Sequence, residues 1–175
     1  MIDFTDSPRC EVHDDYYTPK WIIEKLNHLI PKDKVIWEMC LLGSNEQSKK
    51  YLKELGHNVI GDNKCDCLKD TQYEKDCDMI WTNPPYQTEL KKKILTKISK
   101  LDKPFMLIMN SCNLNSKYFQ DIFRGKDLYF ITPKGKFYFD KYKGKKLLKS
   151  HTENKTTSYY SVVVCYKCIE KNHFI

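Results

Sequence analysis

Short apolar runs alternate along this chain with stretches whose apolar residues recur at helical spacing, and that alternation predicts an α/β fold with a mainly parallel central sheet. Trp21, Ile22, Leu26, Leu29 and Ile30 predict a helix from Pro19 to Ile30, with the proline in its first turn. Val35-Ile36-Trp37-Glu38 reads as a strand. Ser44 with Gln47 forms a capping box, Tyr51, Leu52 and Leu55 supply a buried stripe, and Gly56 stops that helix. Asn58-Val59-Ile60-Gly61-Asp62 is then a second strand with an acidic end. Strand, loop, helix and strand in this order form the first half of a nucleotide-binding sheet.

The apolar run Asp78-Met79-Ile80-Trp81-Thr82 reads as a buried strand, which must stop where Pro84 and Pro85 follow. Beyond it, Leu90, Ile94, Ile98 and Leu101 mark a lysine-rich amphipathic helix and Phe105 to Met109 the next strand. Leu114 to Phe123 is a helix candidate, Leu128 to Ile131 a strand, and Tyr159 to Tyr166 the last strand. No internal repeat is present.

At 175 residues the chain fits one domain with a full core. It has no apolar stretch of bilayer-spanning length. Met1 to Asp6 lack the features of a signal peptide, so the protein is expected inside a cell, in the cytoplasm or, in a eukaryotic or viral setting, the nucleus or a viral factory. Its eight cysteines then read as reduced thiols. Cys65-x-Cys67, Cys165-x-x-Cys168 with His173, and Cys10-x-x-His13 offer zinc ligands on paper, but the spacings do not pair as knuckles and no metal is expected. Alanine is absent, Arg9 and Arg124 are the only arginines, and lysine, asparagine and isoleucine abound, a composition that suits an A/T-biased genome such as that of a phage, virus or low-GC microbe.

Asn83-Pro84-Pro85-Tyr86 carries the clearest chemistry. Asn83 falls at the carboxyl end of a buried strand, the edge at which open α/β sheets bind ligands. A planar amine such as adenine N6 or a glutamine side chain is a poor nucleophile, because its lone pair is delocalised. Two acceptors, the Asn83 side-chain oxygen and the Pro84 carbonyl, can take both of its N–H bonds and free that pair. Proline holds its carbonyl in place through a fixed φ, and Tyr86 offers a flat face for an extruded base. The alternative is a plain turn marked by a proline pair.

These residues resemble the adenine-N6 methyltransferase family of the class I, S-adenosylmethionine-dependent superfamily, and three further segments fall in that family's order. Asp15-Tyr16-Tyr17-Thr18-Pro19 with Trp21 is similar to its tyrosine motif. Val35 to Glu38 with the Gly43-Ser44 turn resembles its cofactor strand and loop, and Asn58 to Asp62 its second strand. Asp66-Cys67-Leu68 matches the next acidic element. The resemblance covers residues 15 to 86 and implies a Rossmann-like class I methyltransferase fold with helices on both faces of the sheet. It also implies S-adenosylmethionine as cofactor, with Tyr17, Thr18, Pro19, Glu38, Gly43, Asp62, Asp66 and Cys67 as its binding residues, Asp62 at the ribose and Asp66 at the adenine. Asn83, Pro84, Pro85 and Tyr86 become the catalytic residues. One departure stands out: Leu42 occupies a position where the family has glycine, unless the loop is one residue longer and Gly43 is that glycine.

Residues 133 to 158 hold eight lysines against Asp140 and Glu153, a charge of +6 within a chain total of +7. Lysines interleaved with Phe137, Tyr138, Phe139 and Tyr142 suit a nucleic-acid backbone and unstacked bases, with Lys134, Lys136, Tyr138, Lys141, Lys143, Lys145 and Lys146 as contacts. A solvated loop that keeps the protein soluble is the alternative. No room remains for a separate target-recognition domain, so sequence selectivity is expected to be modest or to come from a homodimer or partner subunit. Two rival functions keep parts of this picture. One is a glutamine methyltransferase sharing the Asn-Pro-Pro-Tyr motif, and the other a non-catalytic nucleic-acid-binding subunit with a degraded cofactor loop.

Overall fold

The computed structural model describes residues 16–41, 46–143, 146–152 and 160–175, with the side chain of Lys143 outside the description. In chain order the strands are β1 (Tyr16–Tyr17), β2 (Val35–Glu38), β3 (Asn58–Ile60), β4 (Met79–Thr82), β5 (Phe105–Asn110), β6 (Leu128–Thr132), β7 (Asp140–Lys143), β8 (Lys146–Lys149), β9 (Ser161–Tyr166) and β10 (His173–Phe174). The α-helices are α1 (Lys20–Leu26), α2 (Gln47–Glu54), α3 (Thr88–Leu101) and α4 (Lys117–Ile122).

Seven strands form the central sheet in the order β10-β6-β9-β5-β4-β2-β3, and all run the same way except β9, which pairs antiparallel with both β5 and β6. Parallel strands need helical crossovers, and these cover both faces. Ile22, Ile23 and Leu26 of α1 and Leu52 of α2 pack with Ile36, Met79, Met106 and Val163 on one face. On the other, Ile94, Leu95 and Ile98 of α3 and Phe119 of α4 pack with Trp37, Ile80, Leu107 and Val164. Adjacent residues such as Ile36 and Trp37 thus enter opposite cores, as the period of two dictates. Both strand faces are buried, which is why β4 and β5 read as unbroken apolar runs. This is the mainly parallel α/β architecture that the hydrophobic pattern predicts. No helix among the described residues is long and apolar enough to cross a membrane.

Several local expectations are corrected. The helix expected from Pro19 to Ile30 keeps α geometry only to Leu26 and ends in a 3-10 turn, Asn27–Leu29. Its proline is the N-cap, and Tyr16–Tyr17 ahead of it form a strand. α2 begins at Gln47 behind Glu46, a left-handed residue with φ 40°, so Gln47 is its first residue and not the third position of a capping box; Ser44 lies outside the described residues. The 114–123 helix divides into a 3-10 turn, Ser111–Asn115, and α4. β10 follows what the pattern marks as the last strand.

The largest correction concerns the basic segment. β7 and β8 form a hairpin, and β7 also pairs antiparallel with β1, Tyr16 opposite Lys141 and Tyr17 opposite Asp140. Of its four interleaved aromatics, Phe137, Phe139 and Tyr142 are buried at 1%, 0% and 8% exposure, so they serve packing and are closed to bases. Tyr138 alone is half-buried.

Candidate active site

The carboxyl ends of β2, β3 and β4 lie side by side, and of the expected site residues Tyr17, Thr18, Glu38 and Asn83 line one cleft there. β4 ends because Pro84 and Pro85 cannot donate to a ladder, which leaves Asn83 at the strand end. Asn83 donates its amide N–H to Thr18 Oγ1 at 3.4 Å, leaving the amide oxygen as an acceptor. Thr18, Pro84 and Pro85 are buried, so this corner has little freedom. A cleft opens here, lined by Tyr16, Tyr17, Thr18, Glu38, Gln47 and Asn83 among others. Its enclosed volume is only about 30 Å³. That suits a group the size of a water or a methyl, so a larger ligand has to extend outward along the strand ends.

Two strand-end carboxylates differ sharply. Glu38 is buried, and desolvation pushes its carboxyl up to about 7 against the opposing pull of the Ser48 and Thr82 hydroxyls and the Cys40 backbone. Asp62 is held below the usual carboxylate range, chiefly because Tyr73 donates its hydroxyl to Oδ2 at 2.5 Å, while the Lys64 and Cys65 backbone N–H groups donate to Oδ1 at 2.7 and 2.8 Å. Between them Gly61 has φ 115°, and a Cβ there would stand 2.6 Å from the Glu38 carbonyl oxygen. Only glycine lets β3 turn this closely against β2.

Asp66 is buried, and its Oδ1 accepts from the Leu68 N–H at 3.0 Å. Its buried Oδ2 accepts no hydrogen bond, and the Lys69 ammonium lies 3.5 Å away. A buried acceptor with an ammonium at 3.5 Å but no hydrogen bond keeps capacity for a ligand donor. Cys67 is half-buried with its thiol hydrogen-bonded to that of Cys40, and this contact together with burial raises the Cys40 thiol well above its ordinary value. Since Cys40 also lines the cleft, the 66–67 segment is continuous with it.

The small sheet reaches the same mouth. Tyr17 packs edge-on against Tyr142 with centroids 4.8 Å apart, and Gln47 Nε2 donates to the Tyr142 hydroxyl at 2.6 Å. Tyr16 stands edge-on to Tyr86 at 5.9 Å, and the Lys141 ammonium lies 5.7 Å from the Tyr16 ring. Lys141 is thereby brought to the motif through two tyrosines. Lys134 and Lys146 are exposed, and Lys136 is half-buried with its ammonium near Tyr160 and not at the cleft. Gly43, Lys145 and the Lys143 side chain lie outside the described residues.

Sequence reasoning missed Lys91. Only 6% exposed, it donates Nζ to the Tyr86 carbonyl at 3.3 Å and so braces the motif from the first turn of α3. Its signal was its phase, since Lys91, Ile94, Leu95 and Ile98 share the buried stripe. Tyr73, the partner of Asp62, carried no local signal. All described cysteines are free, and among the described residues no group of three or more His, Cys, Asp or Glu could hold a metal.

No family model matches the sequence, and no curated protein matches it. Among solved structures, the fold is similar to a Listeria monocytogenes protein named as a candidate class I S-adenosylmethionine-dependent methyltransferase, with a TM-score of 0.54 and 9% identity over 90% of this chain. This chain spans 64% of that protein's length. At so low an identity the likeness shows the fold: a Rossmann-like, mainly parallel sheet with helices on both faces.

Proposed function

We propose that this chain transfers a methyl group from S-adenosylmethionine to an exocyclic amine, with adenine N6 in DNA or RNA as the acceptor the site suits best. The observation that carries the reading is Asn83, held by Thr18 at the end of β4 in a cleft it shares with the buried Glu38. The fold, shared with the Listeria protein, is one that supports this chemistry.

The residues present fit the cofactor. The Glu38 carboxylate suits a cationic ligand end, Asp62, held below the usual carboxylate range, suits ribose hydroxyls, and Asp66 Oδ2, which accepts no hydrogen bond, suits an adenine amino group. When bound, S-adenosylmethionine supplies a sulfonium methyl that needs no further activation. Asn83 Oδ1 and the Pro84 carbonyl accept the two N–H bonds of the target amine, which releases its lone pair toward the methyl. The amine loses its proton to water after transfer, so no residue need act as a base beforehand. Tyr86, steadied by Tyr16 and by Lys91 at its carbonyl, offers the face on which an extruded base stacks. Lys141 beside that pair suits a phosphate more than a neutral peptide acceptor, which favours a nucleobase over a protein glutamine.

Calorimetric titration with S-adenosylmethionine, followed by transfer of labelled methyl to adenine-containing oligonucleotides and to a glutamine-containing peptide, tests the reading. Saturable binding with label on adenine supports it. Label on the peptide alone transfers the mechanism to the other acceptor, and absence of cofactor binding overturns it.

A further inference from the structure

A second cavity, of about 420 Å³, opens between the 3-10 turn after β5 and the start of β9, bounded by Leu114, Phe130, Tyr160, Ser161, Asn172 and Phe174. It belongs to neither the cleft nor the basic hairpin. The sheet register places it on the same edge as Asn83, because Asn110 at the end of β5 faces Ser161 and Phe174 pairs with Thr132 at the end of β6. Only β5 separates β4 from β9, so two strand spacings, about 10 Å, lie between their ends.

Its walls are unusual for a soluble surface. Tyr160 is 60% exposed and Phe174 77%, the two most exposed large hydrophobic side chains described. The Tyr160 backbone is anchored, since its carbonyl accepts from the Ser111 N–H at 2.8 Å. The Lys136 ammonium stands 5.0 Å from its ring centroid, and Lys134 nearby is exposed. Exposed rings with adjacent lysines are what stacking of an unpaired base and contact with its phosphate require.

The geometry points to this cavity as a subsite for a nucleotide of the single-stranded substrate, a few residues along the strand from the one presented to Asn83. This rests on the nucleic-acid reading of the proposed function. Tyr160 and Phe174 hold the base, and Lys136 and Lys134 its phosphates. The hairpin lysines then bind another stretch of the same strand.

The test is a titration of a fluorescently labelled, adenine-containing single-stranded oligonucleotide into wild type, Tyr160→Ala, Tyr160→Trp and Phe174→Ala. Both alanine variants are expected to bind roughly tenfold more weakly, with Tyr160→Trp at or above wild-type affinity. Equal affinity of Tyr160→Ala and wild type overturns the subsite, as does displacement of the oligonucleotide by adenosine monophosphate at comparable concentration, which would indicate a free-nucleotide site. Methyl transfer measured on the same oligonucleotide separates the two claims. Tyr160-dependent binding without transfer leaves the subsite standing and removes the methyltransferase reading, whereas transfer with Tyr160-independent binding does the reverse.

Discussion

Two surfaces meet at the mouth of the cleft, and they carry opposite charge on opposite kinds of framework. The floor is the carboxyl edge of β2, β3 and β4, acidic through Glu38 and Asp62 and through Asp66 in the turn beyond β3, with helices packed on both faces of the sheet. The roof is the three-stranded sheet β1-β7-β8, basic through Lys141, Lys146 and Lys149, whose last strand is exposed along its length. On the proposed reading, a cationic small ligand is suited to the floor and a polyanion to the roof, so charge would sort cofactor from substrate. Framework sorts them again. On that reading, Asn83, which would hold the reacting nitrogen, follows a strand packed between two cores, while the proposed phosphate contacts, which tolerate variation, sit on an edge.

The strongest way to break this division is Asn83→Ala. That change removes one of two acceptors but leaves Pro84, Pro85 and the floor carboxylates in place. Methyl transfer should fall by roughly two to three orders of magnitude at near-constant cofactor affinity, with Asn83→Asp in between because it keeps an acceptor oxygen. Single-turnover transfer of labelled methyl, alongside calorimetry with the cofactor, checks both halves. Full activity in the alanine variant would reduce Asn83 to a turn residue.

Next in size is Asp62→Ala, which should raise the cofactor dissociation constant by roughly one to two orders of magnitude through loss of charge-assisted hydrogen bonds. Oligonucleotide affinity should stay as it is, because the roof is untouched. If both affinities change together, floor and roof are not separate.

Glu38 sharpens the comparison through pH. Its folded pKa, about 7, lies above the ordinary 4.5, so below about pH 7 Glu38 is protonated and a cation beside it loses that counter-charge. Cofactor affinity should therefore rise with pH, by up to about tenfold per unit, and level off above 7. Glu38→Gln should bind weakly at every pH without that slope. The same shift has a stability sign. Protons bind the folded state more tightly, so its contribution favours folding below about pH 4.5 and is lost as pH rises through 7. Thermal melts at pH 8 should accordingly show Glu38→Gln more stable than wild type.

How much of this was legible beforehand follows the range of each signal. β4 and its motif were readable because a buried parallel strand is an unbroken apolar run and two prolines end it. Asp62 was readable as a strand-end carboxylate, but Tyr73, which keeps it ionised, was not, since nothing local links them. The pairing of β1 with β7 joins residues far apart in the chain, and two-residue strands carry no periodicity. Phe137 and Phe139 are instructive. They alternate with Lys136 and Tyr138, a period of two that marked one face for burial, yet lysine abundance drew the segment toward a reading as contacts for a nucleic-acid backbone and unstacked bases. Lys91 failed for the same reason: its charge outweighed its place in the helical stripe. The site's extension to Tyr160 depended on a sheet register that strand patterns do not encode.

The smallest effect belongs to the roof. Lys141 reaches the motif through Tyr16, and Lys146 is exposed on the opposing strand of the hairpin. If both contact phosphates without reading bases, replacing the two with glutamine should lower the slope of log affinity against log salt by up to about two, since each phosphate neutralised by a lysine releases about one counterion. Affinity at moderate salt should fall only several-fold, and equally for oligonucleotides of different sequence. Cofactor binding should be unaffected, because both lysines stand outside the acidic floor. The aromatics beneath, Phe139 and Tyr142, are buried and remain in place, so the variant should melt close to wild type. An unchanged slope would mean that the hairpin lysines only solvate an edge strand, as lysines often do. Binding would then rest on the Tyr160 cavity, and the acidic floor would stand without a basic roof.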